Sequence, residues 1–244
     1  MGRACEQMNV ALFTGIRELE ICDRPIPVLE RPGDVLLRIE TVGVCGSDIH
    51  YYTKGRIGDQ VIDHPATLGH ECAGTVMEIC PTVGGLKAGQ RVAVDPAISC
   101  GQCDQCRKGR AHTCRNLQFL GCPGQAPGAV AEYITIAAQS CYPVPDSMTM
   151  VEAALVEPLS VAIHSQRLAG MQPGGTVGIL GAGPIGLSVL LAVGALCPSR
   201  TFVTDLLDER LGLARRCSAD WTGVPTRADV VKAILKEEPD GLDC

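Results

Sequence analysis

The chain is poor in aromatic residues, with three Phe, four Tyr and one Trp in 244 residues. Its core must therefore be built from Val, Ile, Leu and Ala, with 28 Gly shaping the backbone, a mixture that suits β structure and tight α/β turns. Long runs of one charge are also missing. A net charge of -6 from 21 basic and 27 acidic residues gives no surface for nucleic acid or anionic membrane, and points to small-molecule partners. Met1 to Glu20 lacks a basic segment followed by an apolar one, so secretion is not expected, and Glu6 stands where myristoylation after Gly2 needs Ser or Thr. Fourteen cysteines fall short of the density of a disulfide scaffold. A cytoplasmic protein with reduced thiols, some of them metal ligands, is the expectation.

No charged residue occurs between Arg167 and Arg200, a gap longer than the roughly 20 residues of a spanning helix. Gly174, Gly175, Gly178, Gly181, Gly183, Gly186 and Gly194, with Pro173 and Pro184, break that stretch into strand, turn and helix. No membrane span is expected.

β-Branched runs separated by Gly and Pro predict strands at Val35 to Val44, Glu71 to Ile79, Arg91 to Val94 and Tyr133 to Ile136. Thr149 to Leu168 has helical spacing interrupted by Pro158, so a domain boundary is placed near residue 150. Beyond it, strands at Thr176 to Leu180 and Thr201 to Thr204 alternate with helices at Pro184 to Ala195, Glu209 to Cys217 and Ala228 to Lys236, and Gly241 to Cys244 starts a third strand. That alternation predicts a doubly wound parallel sheet.

Gly181, Gly183 and Gly186 have G-x-G-x-x-G spacing directly after a strand and at the start of a helix. The first permits the tight turn, the second the approach of a pyrophosphate, and the third close packing of helix on strand, with phosphate at the helix N-terminus. Asp205, at the end of the next strand, is placed to accept from an adenosine ribose and selects NAD over NADP. Arg210 complicates that choice, since it could meet a 2′-phosphate or lie over adenine.

Cys100, Cys103, Cys106 and Cys114 follow C-x2-C-x2-C-x7-C in a loop-like stretch, a local set able to close a tetrahedron around structural zinc. The last gap and the missing Pro argue against a ferredoxin cluster. His112 replacing one thiol, or an empty site, stays open. Cys45 in GVCGSDIH and His70 with Glu71 in LGHE are weak signals separately. Together they offer S, N and O donors at Gly-rich turns, the mixture of a catalytic zinc with one open position.

GVCGSDIHYY, LGHECAG, the four-cysteine stretch, ALVEPLSVAIH and GAGPIG followed by VTD, taken in order, resemble the zinc-dependent medium-chain dehydrogenases, most closely the sorbitol and xylitol dehydrogenase branch. The resemblance implies an α/β chain: a mainly β GroES-like catalytic domain over residues 1–150, then an NAD-binding Rossmann domain over 151–244. It implies a zinc-dependent oxidoreductase moving hydride from a secondary hydroxyl of a polyol to NAD, with zinc held by Cys45, His70 and Glu71. Glu157 would contact a substrate hydroxyl or act as an occasional ligand; Tyr51 and Phe119 would line the substrate pocket. Ser47 would pass the alcohol proton outward toward His50, and Asp48 would support a ligand. The dinucleotide would rest on Gly181, Gly183, Pro184, Ile185 and Gly186. Family members continue for roughly a hundred further residues, completing the second half-sheet and the homo-oligomer interface, so the chain is expected to be C-terminally truncated. A threonine or simple alcohol dehydrogenase, and a non-catalytic zinc- and nucleotide-binding remnant, are the alternatives.

Overall fold

A hairpin opens the described part of the chain, residues 6–244 of a computed structural model. Its strands β1 (Gln7–Gly15) and β2 (Glu18–Pro25) pair antiparallel, and β1 buries Met8, Val10, Ala11 and Phe13, drawn from both of its faces, while β2 is largely exposed. Such a hairpin buries too little to stand out in composition, and the sequence reading missed it.

Then come β3 (Asp34–Val42), α1 (Gly46–Lys54), a small hairpin of β4 (Arg56–Ile57) and β5 (Gln60–Val61), β6 (Cys72–Ile79) and β7 (Arg91–Val94). A lobe follows, formed by β8 (Ala97–Ile98), the one-turn α2 (Asp104–Arg107) and β9 (Gln118–Phe119), before β10 (Tyr133–Ala137) and β11 (Cys141–Pro143). The main sheet has the order β10-β3-β6-β7-β11, with every pair antiparallel. Val35, Leu37, Val76, Val92 and Val94 fill its core, and burial of each such side chain contributes about 1.5–3 kcal/mol.

α3 (Met150–Ala154) starts with a reciprocal cap in which Thr149 Oγ1 accepts from the Glu152 N–H at 3.2 Å and Glu152 Oε2 accepts from the Thr149 N–H at 2.7 Å. Its Ala153 and Ala154 pack closely on Ala73 and Ala93 of the sheet. This small-residue contact holds α3 to the first of two compact units, Met1–Glu157, seven residues past the break drawn at 150. The expected interruption at Pro158 lies elsewhere, because α4 (Val156–Ala169) begins after Leu155 and takes Pro158 into its first turn. There an N–H has no intrahelical partner to lose.

The second unit, Pro158–Cys244, contains β12 (Thr176–Leu180), α5 (Pro184–Leu196), β13 (Arg200–Thr204), α6 (Asp208–Arg216), β14 (Trp221–Gly223) and α7 (Val230–Glu237). The strands are parallel in the order β12-β13-β14. Gly241 to Cys244, expected to start a third strand, does not: three-residue β14 fills that place. The final residues instead lie on the other side of β12, where Gly178 N–H donates to the Cys244 carbonyl at 2.7 Å and Cys244 N–H to that of Thr176 at 3.2 Å, the pattern of a parallel pair. The sheet order is β14-β13-β12, with Cys244 hydrogen-bonded along the outer edge of β12. The uncharged stretch is thus β12 plus α5, and no helix among the described residues is long and apolar enough to cross a membrane.

Candidate metal and dinucleotide sites

In the first unit, α1 and the turn before β6 bring together residues 25 apart in sequence. Cys45 is the extended residue that caps α1, and Asp48 one turn later accepts from its backbone N–H at 3.0 Å. The buried Asp48 carboxylate also accepts from the Gly69 N–H at 3.3 Å and lies 3.9 Å from His70 Nδ1. One carboxylate thus ties the turn carrying His70 to the helix start carrying Cys45. Two glycines leave room for this. Gly69 has φ +93, and a Cβ there would meet Val130 at 2.7 Å and Val42 at 2.9 Å; a Cβ on Gly43 would run into the Glu71 carboxylate. The donor atoms of Cys45, His70 and Glu71 consequently all lie within 4.8 Å of one another.

The electrostatics of the cluster favour a thiolate. The hydrogen bond with His70 lowers the Cys45 thiol below its ordinary value; burial opposes this, and the hydroxyl and N–H of Ser47 reinforce it. For His70, burial pushes down, but the Cys45 bond and the charges of Asp48, Cys45 and Glu157 together raise it. Glu157, at the start of α4, is raised by burial and by the Glu71 and Asp95 charges, with His70 acting in the opposite direction. It stands in the field of the cluster without being one of the three converging donors.

The other predicted residues surround this point unevenly. Phe119 in β9 meets the His70 ring edge-on, with centroids 5.4 Å apart at 63°. Ser47 is half-buried against Cys45, whereas His50 is on the exposed side of α1. Tyr51 is only 4% exposed and packs with Phe13, Ile62 and Leu68. Its hydroxyl donates to Gln60, a residue the sequence reading did not single out because an isolated Gln in a short hairpin carries no signal.

Cys100, Cys103, Cys106 and Cys114 meet in the lobe between β8 and β9, again with all four sulfurs within 4.8 Å, and His112 is not among the converging donors. Two of the separations are 3.6 Å and 4.0 Å. They bracket the edge of about 3.8 Å expected for a tetrahedron with zinc–sulfur bonds of about 2.3 Å. Backbone N–H groups of Arg115 and Cys106 pull the Cys103 thiol down to about 6, while burial and neighbouring sulfurs push Cys106 up to about 11. A set of thiols with backbone N–H aimed at sulfur fits a thiophilic cation, and all cysteines among the described residues are free of disulfides.

In the second unit, the glycine turn joins β12 to α5. Gly181 has φ +101, and a Cβ on Gly186 would overlap the Gly181 carbonyl oxygen, so helix and strand could not pack as they do. At Gly183 the space is open except for Arg210 Nη1, 3.8 Å from the place of a Cβ. Pro184 takes the first helical position, with Ile185 exposed beside it. Asp205 is buried and accepts from the Ala182 N–H at 2.7 Å and the Leu207 N–H at 2.9 Å, with Arg210 Nη1 3.7 Å away. Its carboxylate therefore secures the glycine turn to the end of β13, a role the motif spacing does not reveal.

Residues 31–146 match the family model described as an alcohol dehydrogenase GroES-like domain. The chain is 41% identical over 214 residues to a sorbitol dehydrogenase of Bacillus subtilis, covering 88% of this chain and 60% of that protein. It is 39% identical over 230 residues to a probable D-xylulose reductase A of Arthroderma otae, covering 94% and 64% respectively. Among solved structures, an oxidoreductase/dehydrogenase of unknown specificity involved in membrane biogenesis from Escherichia coli is 32% identical and superposes with a TM-score of 0.86, covering 96% of this chain and 68% of that one. The chain thus spans 60% and 64% of the length of those two curated relatives. With the β unit, the parallel glycine-turn unit and these similarities in hand, the chain belongs to the zinc-dependent medium-chain dehydrogenase/reductase family.

Proposed function

We propose that the chain acts on polyols, oxidising a secondary hydroxyl of sorbitol, xylitol or a similar sugar alcohol to a ketose with NAD. The observation that carries this reading is the convergence of one thiol, one imidazole and one carboxylate, those of Cys45, His70 and Glu71, within 4.8 Å of one another. Three mixed protein donors are the set of a catalytic zinc that keeps a position open, whereas the four thiols Cys100, Cys103, Cys106 and Cys114 are the closed set of a structural one. Similarity to a sorbitol dehydrogenase and a xylulose reductase supports the choice of polyols.

On this reading residues 1–150 form the catalytic domain and 151–244 the dinucleotide-binding domain. When bound, zinc supplies Lewis acidity that eases loss of an alcohol proton, and the nicotinamide supplies the hydride acceptor. The chain's own groups do the rest. The Ser47 hydroxyl takes the proton and hands it outward toward His50, whose exposed ring exchanges it with solvent. The Glu157 carboxyl engages a second substrate hydroxyl and so fixes which carbon reacts, while Tyr51 and Phe119 shape the pocket. Gly181, Gly183, Pro184, Ile185 and Gly186 cradle the pyrophosphate with the N–H groups opening α5. Asp205 keeps lone pairs free for the ribose hydroxyls in addition to its two backbone bonds, and Arg210 flanks the turn. Free thiols suit a reducing, cytoplasmic setting.

The test is a substrate panel of sorbitol, xylitol, arabinitol, ethanol and threonine with the zinc-loaded chain, followed by NADH formation. Polyol turnover that vanishes in Cys45→Ser is expected; preference for ethanol or threonine would move the chain to another branch. The alternative reading is a zinc- and nucleotide-binding protein without catalysis. Calorimetry with NAD decides between the two, since binding without turnover of any alcohol marks the second.

A further inference from the structure

A polar chain beside the mixed donor set belongs to neither metal cluster. The Tyr51 hydroxyl donates to Gln60 Oε1 at 2.7 Å, Gln60 Nε2 donates to Cys122 Sγ at 2.8 Å, and Gln125 Nε2 donates to the same sulfur at 3.3 Å. The members come from α1, from β5 and from the turn after β9, whose Cys122 N–H bonds back to the Phe119 carbonyl at 3.2 Å.

The donor and acceptor inventory gives this chain a direction. A carboxamide has one donating and one accepting end, and a sulfur that accepts from the Nε2 of Gln60 leaves only Oε1 to face the phenol. The Tyr51 hydroxyl has a single proton, and that proton is committed to Gln60. What the oxygen still offers is lone pairs. Burial, together with the neighbouring Cys122, pushes the Tyr51 phenol up to about 12, which keeps the proton in place.

We infer that Gln60, oriented by Cys122, is a positioning residue that makes Tyr51 an acceptor-only group and so favours, over monohydroxy alcohols, those with a further hydroxyl, beyond the one engaged by Glu157, that can donate to it. The inference rests on the polyol reading, and on Tyr51 as part of that pocket. A site built to receive a hydroxyl discriminates strongly against an analogue without one, because a buried polar atom is then left unpaired.

The test compares kcat/KM for xylitol and for 2-butanol in the full zinc-loaded chain. In Gln60→Leu the freed Tyr51 proton can turn toward the substrate hydroxyl and compete with its donation, so the xylitol value is expected to fall by roughly 10-fold or more, through KM, while 2-butanol stays within about twofold. Gln60→Glu keeps an acceptor against Tyr51 and is expected to restore most of the ratio. Cys122→Ala, beside a 310 Å³ cavity that Cys122 itself lines, is expected to lose part of it. A parallel fall for both substrates in Gln60→Leu, or no change in their ratio, overturns the inference.

A second readout needs no turnover. In the nitrogen-15-labelled chain, the Gln60 side-chain amide, identified by its loss in Gln60→Glu, is expected to exchange slowly and to shift in Cys122→Ala. Free exchange with no response to Cys122 overturns the role of Gln60 whatever the kinetics. A protected amide in a chain that oxidises no alcohol overturns instead the polyol reading beneath it.

Discussion

The four thiols between Cys100 and Cys114 and the trio of Cys45, His70 and Glu71 both gather donors within 4.8 Å, yet by opposite routes. The thiols lie on one short stretch, closed at its base by the β8–β9 ladder and shaped by a single turn of helix. Closing so short a loop costs little chain entropy, and nothing from the sheet is required. The mixed trio is assembled by the folded sheet itself: a helix cap, the turn at Gly69 and the Asp48 carboxylate between them fix it. One cluster organises its own lobe; the other is a product of the surrounding fold.

The sharpest way to break that comparison is to remove the fold. A synthetic peptide spanning residues 95–121 is expected to bind cobalt or zinc as a tetrathiolate, with zinc-finger-like free energies of about 10–16 kcal/mol. A peptide pair carrying Cys45 and His70–Glu71 is expected to bind at least about a thousandfold more weakly, without the rigid scaffold. Comparable affinities by cobalt absorption would mean that the mixed trio is as self-sufficient as the thiols.

A smaller intervention keeps the fold and strains one turn. Gly69→Ala forces a Cβ onto a backbone at φ +93 and into Val42 and Val130, for about 2–4 kcal/mol of lost stability. Zinc analysis is expected to fall from two ions per chain to one, with the thiol lobe still loaded. Asp48→Asn is milder, because only the carboxylate joining the two ligand segments is neutralised. It should weaken zinc at the mixed site by about 10–100-fold and leave the lobe unchanged. If both sites weaken alike in either variant, the lobe depends on the sheet after all.

The same contrast explains what could be read from the sequence. The cysteine cluster was legible because spacing alone encodes a local loop, and the glycine turn because strand, turn and helix are contiguous in Thr176 to Leu196. Spacing says nothing of convergence between Cys45 and His70; donor chemistry at Gly-rich turns suggested the set and the family resemblance implied it, with Asp48 supporting a ligand, but that one Asp48 carboxylate joins both ligand segments is visible only in the coordinates. Three-residue β14 and the β1–β2 hairpin carry too little periodicity to register, and Pro158 misled because a proline in a first turn looks in sequence like a break. Gln60 gave no sign at all; its meaning arises from the two side chains it touches.

The second unit offers a control in which a carboxylate, with no metal candidate nearby in sequence, secures a functional turn. Burial works against ionisation of Asp205, but the N–H groups of Leu207 and Ala182 and the Arg210 charge outweigh it and lower its pKa on net. A carboxyl with a depressed folded pKa adds stability that is fully present above the unfolded value of about 3.9 and is lost as pH falls toward the folded value. Asp205→Asn is therefore expected to lose about 1–2 kcal/mol at neutral pH, where charge-assisted bonds are replaced by neutral ones, and the gap to the wild type should close as pH falls below about 4. Urea unfolding of both proteins across that range checks this, and a constant gap would show that the turn is held by shape at Gly181 and Gly186 instead of by charge. Zinc content should be unaffected throughout, since neither donor set draws on Asp205.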